Sequence, residues 1–134
     1  MVATALDLQK AVHAVLAADA ALTAALGGAR VFDYVPAETP FPYVLFGAAA
    51  MRDWSSDHED GAELTFTLHV WSRARGKAET LALMDLARKA LDDTPPEPAH
   101  GRLVLMRLER AEAAYQDDLS AYRGTMRFRA LVEG

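Results

Sequence analysis

The stretch from Glu63 to Arg75, ELTFTLHVWSRAR, decides how the rest of the chain is read. Leu64, Phe66, Leu68 and Val70 fall on one side of an extended backbone, and Glu63, Thr65, Thr67, His69 and Trp71 on the other. Strict alternation in residues rich in β-branched and aromatic types marks a strand with one face in the core. Ser72 to Gly76 interrupts the alternation, and a helical period takes over from Lys77 to about Asp92. Thr80, Leu83, Met84, Ala87, Ala90 and Leu91 then share one side of that helix, a stripe wide enough to lie across a sheet. The pattern predicts a central strand feeding a helix that packs back onto it.

Upstream, Tyr43 to Met51 reads as a strand, apolar throughout, with Gly47 and three alanines that let something large approach closely, a helix packed over them or another subunit. Val31 to Val35 reads as a shorter strand, separated from it by a connector that Pro36, Pro40 and Pro42 stiffen. Before these, Leu8, Val12, Val15 and Leu16 make the apolar stripe of a first helix with Thr4 as its expected N-cap. Asp19 caps a second short helical turn, Ala20 to Leu26, which Gly27 and Gly28 end. His13 reads as a surface residue of the first helix.

Downstream, Leu103 to about Ala114 is expected as a strand in which Val104, Met106 and Leu108 alternate against Leu105, Arg107 and Glu109. Tyr122 to Val132 is the last strand, with Tyr122, Gly124, Met126, Phe128, Ala130 and Val132 inward and Arg123, Thr125, Arg127 and Arg129 outward. The expected fold class is α+β: a mixed, mostly antiparallel sheet of about five strands, with an N-terminal helix and one long helix packed on it. Residues 1–134 form a single domain, long enough to bury a core without covalent staples.

Composition narrows the function classes. The chain has no cysteine, hence no disulfide framework, thiolate metal site or cysteine nucleophile, which fits a cytosolic product. A formal charge of −5 argues against bulk attraction to nucleic acid. No apolar run reaches membrane-spanning length, and no basic flank of a signal peptide is expected at the start. Absence of Ile and Asn, with few Lys and abundant Ala and Arg, suits the codon bias of a GC-rich bacterial or phage genome.

The most polar stretch, Asp53 to Gly61, joins two strands as a long hairpin loop holding Trp54, Asp57, His58, Glu59 and Asp60. Asp53, Ser55 and Asp57 resemble the start of a calcium loop, but His58 stands where that loop needs glycine and no glutamate closes it. The carboxylate pairs Asp92–Asp93 and Asp117–Asp118 sit at element ends, where caps and turns use acids. No Gly-rich phosphate loop, helical histidine pair or nucleophile elbow occurs, so a binding or structural role outweighs an enzymatic one. The three outward arginines of the last strand lack interleaved aromatics and are expected to pair with acids such as Glu109 and Glu63. Trp71 reads as a lid over a core edge, and His69 as a satisfied polar residue among threonines.

In order, several elements resemble the phage tail completion family, the tail terminators, which gene transfer agents also carry. They are Gly27-Gly28, Arg30-Val31-Phe32 with Pro36, Phe41-Pro42-Tyr43-Val44, His69-Val70-Trp71-Ser72-Arg73 with Gly76, Leu91-Asp92, Phe128-Arg129 and Val132-Glu133. The Phe-Pro-Tyr and Val-Trp-Ser elements are the most specific. The resemblance implies a structural virion protein without catalytic, metal-binding or cofactor-binding residues. Copies would form a homo-oligomeric ring, by analogy a hexamer, at the head-proximal end of a long tail tube. That ring would end tube growth and join a head connector or stopper protein, with no membrane contact, and DNA would only pass through its lumen. Location would be the tail of a phage or phage-like particle assembled in the bacterial cytoplasm. Candidate assembly contacts are Asp53, Trp54, Asp57, Glu59 and Asp60 in the long loop, as one axial contact, with Trp71 and the outward Arg123, Arg127 and Arg129, as a subunit interface. The competing readings are a small-ligand or protein binding module, suggested by Phe32, Tyr34, Trp54 and Trp71, and a small enzyme using His58 or His69.

Overall fold

A computed structural model describes residues 2–57 and 60–134. In chain order it contains α1 (Val2–Ala18), α2 (Ala20–Leu26), β1 (Val31–Phe32), β2 (Tyr43–Asp53), β3 (Gly61–Ser72), α3 (Ala78–Asp93), β4 (Arg102–Gln116) and β5 (Ala121–Glu133). The strands form one sheet in the order β1-β2-β3-β5-β4. Among the described residues only the β1–β2 pair is parallel. The fold is α+β, and β3 is central as its alternation predicts.

Apolar side chains from one face of the sheet meet the helices in a single core. Leu8, Val12 and Leu16 of α1, Leu22 and Leu26 of α2, and Leu83, Met84, Ala87 and Leu91 of α3 pack on Val44, Phe46, Leu64, Leu68, Val70, Met126 and Phe128. Phe66 and Phe128, directly opposite in the register, stack at 5.1 Å between centroids. The stripe expected on α3 is the buried one, residue for residue. The helix lies close because Gly124 has no side chain: a Cβ there would run into Met84 Sδ and Thr80 Cγ2. Ser72, fully buried, shapes the entry into α3 by donating to Glu79 Oε1 (2.7 Å) and accepting from the Ala74 N–H (3.1 Å).

Asp19 caps α2 as its position suggested, Oδ2 accepting from the Leu22 N–H at 2.9 Å, and Gly27 closes it in the left-handed conformation with φ 83°. Other expectations are corrected. α1 starts at Val2, so Thr4 lies inside the helix; first-turn amides that face water need no side-chain cap. β1 is two residues long, not five. It pairs parallel with β2 at Val31–Val44 and Phe32–Leu45, and only ten residues separate Phe32 from Tyr43. A parallel crossover usually takes a dozen or more, so the chain must turn back at once. His13 Nε2 meets the Val31 carbonyl oxygen at 3.1 Å and ties α1 to this edge.

The largest correction falls on β4. Its register against β5 shifts between Leu103 and Leu105 and again between Leu108 and Arg110. Each bulge adds one residue and reverses which face the following side chains take. Leu103, Met106 and Leu108 therefore face the core, while Val104 stays 43% exposed. A pattern of simple alternation cannot show an inserted residue.

Candidate assembly surface

Helices cover one face of the sheet and leave the other bare. The register places Glu63, Thr65, Thr67, His69 and Trp71 of β3 on that bare face, beside Arg123, Thr125, Arg127 and Arg129 of β5. Arg52 joins from β2, and Arg102, Arg107 and Arg110 from β4. The face thus carries seven of the fourteen Lys and Arg, but, among the described residues, only the acids Glu63, Glu109, Glu112 and Glu133. The −5 charge of the chain is an average over a cationic sheet face and an acidic remainder.

The expected cross-strand pairing is present. Arg129 donates to Glu63 Oε2 at 3.1 Å, and Arg52 reaches the same oxygen at 3.4 Å. Hydrogen bonding from Arg129 holds the Glu63 carboxyl below its usual range, against a smaller opposing effect of burial. Arg127 lies 4.0 Å from Glu109. Arg110 pairs with Glu112 at 3.1 Å, and Arg102 pairs with Glu133. Arg107 has no ion pair among the described residues. Arg107 sits opposite Arg129 and Arg110 opposite Arg127, so four guanidinium groups share one corner of the face. Like charges directly opposite one another repel. Sequence reading missed Arg107 and Arg110 as members of this cluster, because cross-strand partners depend on the register, which a bulge shifts between these two residues.

Trp71 is 8% exposed and Arg123 lies over its ring at 5.8 Å, so the indole supports that guanidinium rather than standing free. Arg73 stacks over Phe41 at 4.2 Å in the same way, with Tyr43 5.0 Å from Phe41. His69 Nδ1 meets Thr125 Oγ1 at 3.3 Å. Burial, helped by the nearby Arg123, pushes the imidazole below its ordinary pKa, which favours the neutral ring.

The loop residues occupy the end of the sheet where β2 and β5 finish. Asp53 Oδ1 accepts from the Ser55 N–H at 2.9 Å, and hydrogen bonding from Ser55 holds its carboxyl below the usual range. The Trp54 N–H donates to the Gly61 carbonyl at 2.9 Å while its ring lies over Gly61, leaving the side chain 45% exposed. Asp57 and Asp60 are exposed, and Glu59, with its neighbour His58, lies outside the described residues. The loop acids and the β5 arginines therefore form two separate surfaces, one at the end of the strands and one on their open face.

An open cleft of about 410 Å³ beside the loop is lined by Thr4, Asp53, Ser55, Asp60, His100 and Glu133 among others. The Ser55 hydroxyl donates to the Gly61 carbonyl, and His100 Nδ1 meets Asp7 Oδ2 at 2.9 Å. The hydroxyl and the imidazole are thus engaged with different partners. Among the described residues, no group of three His, Cys, Asp or Glu could hold a metal ion.

A one-sided sheet with a charged, solvent-facing surface suits a protein that acts through contacts with other chains. Residues 10–133 match the tail completion protein gp17 family, and the chain belongs to that family. Its fold superimposes on a chain from the virion of a native gene transfer agent particle with a TM-score of 0.87, at 35% identity, covering 98% of each chain. No curated protein matches it by sequence.

Proposed function

We propose that copies of this chain close into a ring, by analogy of six, at the head-proximal end of a long tail tube. The ring stops addition of tube subunits and offers its other side to a head connector or stopper protein. It belongs to the tail of a phage or gene transfer agent particle put together in the bacterial cytoplasm, and DNA passes through the lumen without being read. Family membership and the likeness to a virion chain support this reading. The observation that carries it is the bare sheet face, which gathers half of the cations of an acidic chain. A closed ring of identical subunits needs a heterologous contact between two different patches of one surface. In this reading Arg123, Arg127 and Arg129, with Trp71 behind Arg123, supply the subunit interface. Asp53, Trp54, Asp57 and Asp60, and by position Glu59, supply an axial contact.

Deleting the chain from a producing cell tests the role. Tails of uncontrolled length, detached from heads in electron micrographs, are expected. Complete tailed particles that contain none of this polypeptide would refute it.

A further inference from the structure

The proposed ring requires two complementary patches on each copy, and the β4–β5 hairpin carries both. Towards its root, inward of the Arg102–Glu133 pair, stand the four guanidinium groups of Arg107, Arg110, Arg127 and Arg129, in like-charged pairs across the strands. Leu105, on the same face, is 36% exposed. At its tip, Asp117 and Asp118 open the turn between the strands, and neither has an ion pair among the described residues. Leu119 beside them is 47% exposed. Six residues of extended strand lie between Arg110 and Asp117, which stand roughly 23 Å apart, so a hairpin cannot lay its own tip on its own root.

We propose that the tip of one hairpin docks on the root of the hairpin in the next copy. Asp117 and Asp118 enter the arginine corner, where Arg107 has no ion pair among the described residues, while Leu119 covers Leu105. Backbone pairing between the exposed β4 edges is disfavoured. Two bulges and the row of arginines blunt that edge against strand addition, which leaves side chains on the open face to make the contact. Tip and root are different patches, so the contact is head-to-tail and can close a ring. This inference rests on the ring reading and names the segments that would join its subunits.

Reciprocal charge reversal tests it in cells that make the particle. A tip-reversed chain (D117R/D118R) and a root-reversed chain (R107E/R110E) are each expected to lower the yield of head-joined tails by about tenfold or more. Expressed together they are expected to restore it, because each altered tip then meets a root of opposite sign in an alternating ring. Full yield from either chain alone, or failure of two folded chains to complement, would overturn the contact. Mass spectrometry of wild-type particles from the same cells keeps the two proposals apart: a chain missing from the particle removes the ring itself. If a reversed chain does not fold, a third variant decides. The chain has no cysteine, so L105C/L119C in assembled particles should give an oxidation-dependent ladder of multimers, and L105C or L119C singly should not. Monomers alone from the double variant would reject the contact.

Discussion

The imidazole of His69 occupies the space that a side chain on Gly47 would take: a Cβ at Gly47 would lie 2.5 Å from His69 Nε2. The glycine in β2 thus admits a ring from the neighbouring strand β3, which packs across the pair and meets Thr125 on β5. It is on the open face of the sheet and not under a helix.

His69 links this packing to pH. Its folded pKa is lowered from 6.5, so below that value the unfolded chain takes up a proton that the folded chain resists. Stability from this residue is present above about pH 6.5 and declines as pH falls towards the folded pKa. Thermal melts of wild type and His69→Gln between pH 7.5 and about pH 5 should show a steeper acid loss in the wild type. Parallel curves would show that His69 does not contribute.

Gly47→Ala is expected to push the imidazole aside, which its flexible χ angles permit at a cost of about 1 kcal/mol. The displaced ring should leave Thr125 and titrate closer to its ordinary value. Histidine NMR titration reads that shift directly, and an unchanged His69 midpoint would contradict the contact.

Gly124→Ala is expected to be costlier, because the new methyl group meets Met84 and Thr80 on a helix packed in the core. Overpacking of this kind costs about 1–3 kcal/mol. Denaturant unfolding should show the loss, and pairing the substitution with Met84→Ala should not add the full cost of each change. Strict additivity would mean that the two sites do not touch.

The β4 bulge makes a paired prediction. Val104→Lys should change stability by no more than about 0.5 kcal/mol, since the side chain already faces water. Met106→Ala, on the core side, should cost about 1–3 kcal/mol. Simple alternation would make both positions core residues and both changes damaging.

Asp19→Ala removes the N-cap of a seven-residue helix and should cost about 1 kcal/mol, with Asp19→Asn recovering most of it. Equal loss from both would point to charge and not the hydrogen bond to Leu22.

Residues whose neighbours lie close in sequence were legible in advance. The period-2 run of β3, the buried stripe of α3, the Asp19 cap and the Gly27 stop all follow from spacing of a few residues, and so did the outward row on β5. The family was also legible, because its elements recur in order along the chain. The pairing of Arg127 with Glu109 and Arg129 with Glu63 was anticipated from the types of residue on neighbouring strands.

Sequence alone, then, determined most of the elements and the fold class, since backbone propensity and hydrophobic period act over one or two turns. Tertiary structure decided the face of Val104, the neighbour of Gly47 and the meeting of Arg107 and Arg110 with Arg129 and Arg127. These depend on strand order and on two inserted residues, which set contacts between segments that share no local signal. A register shift of one residue turns every following side chain to the other face, and only the assembled sheet specifies it.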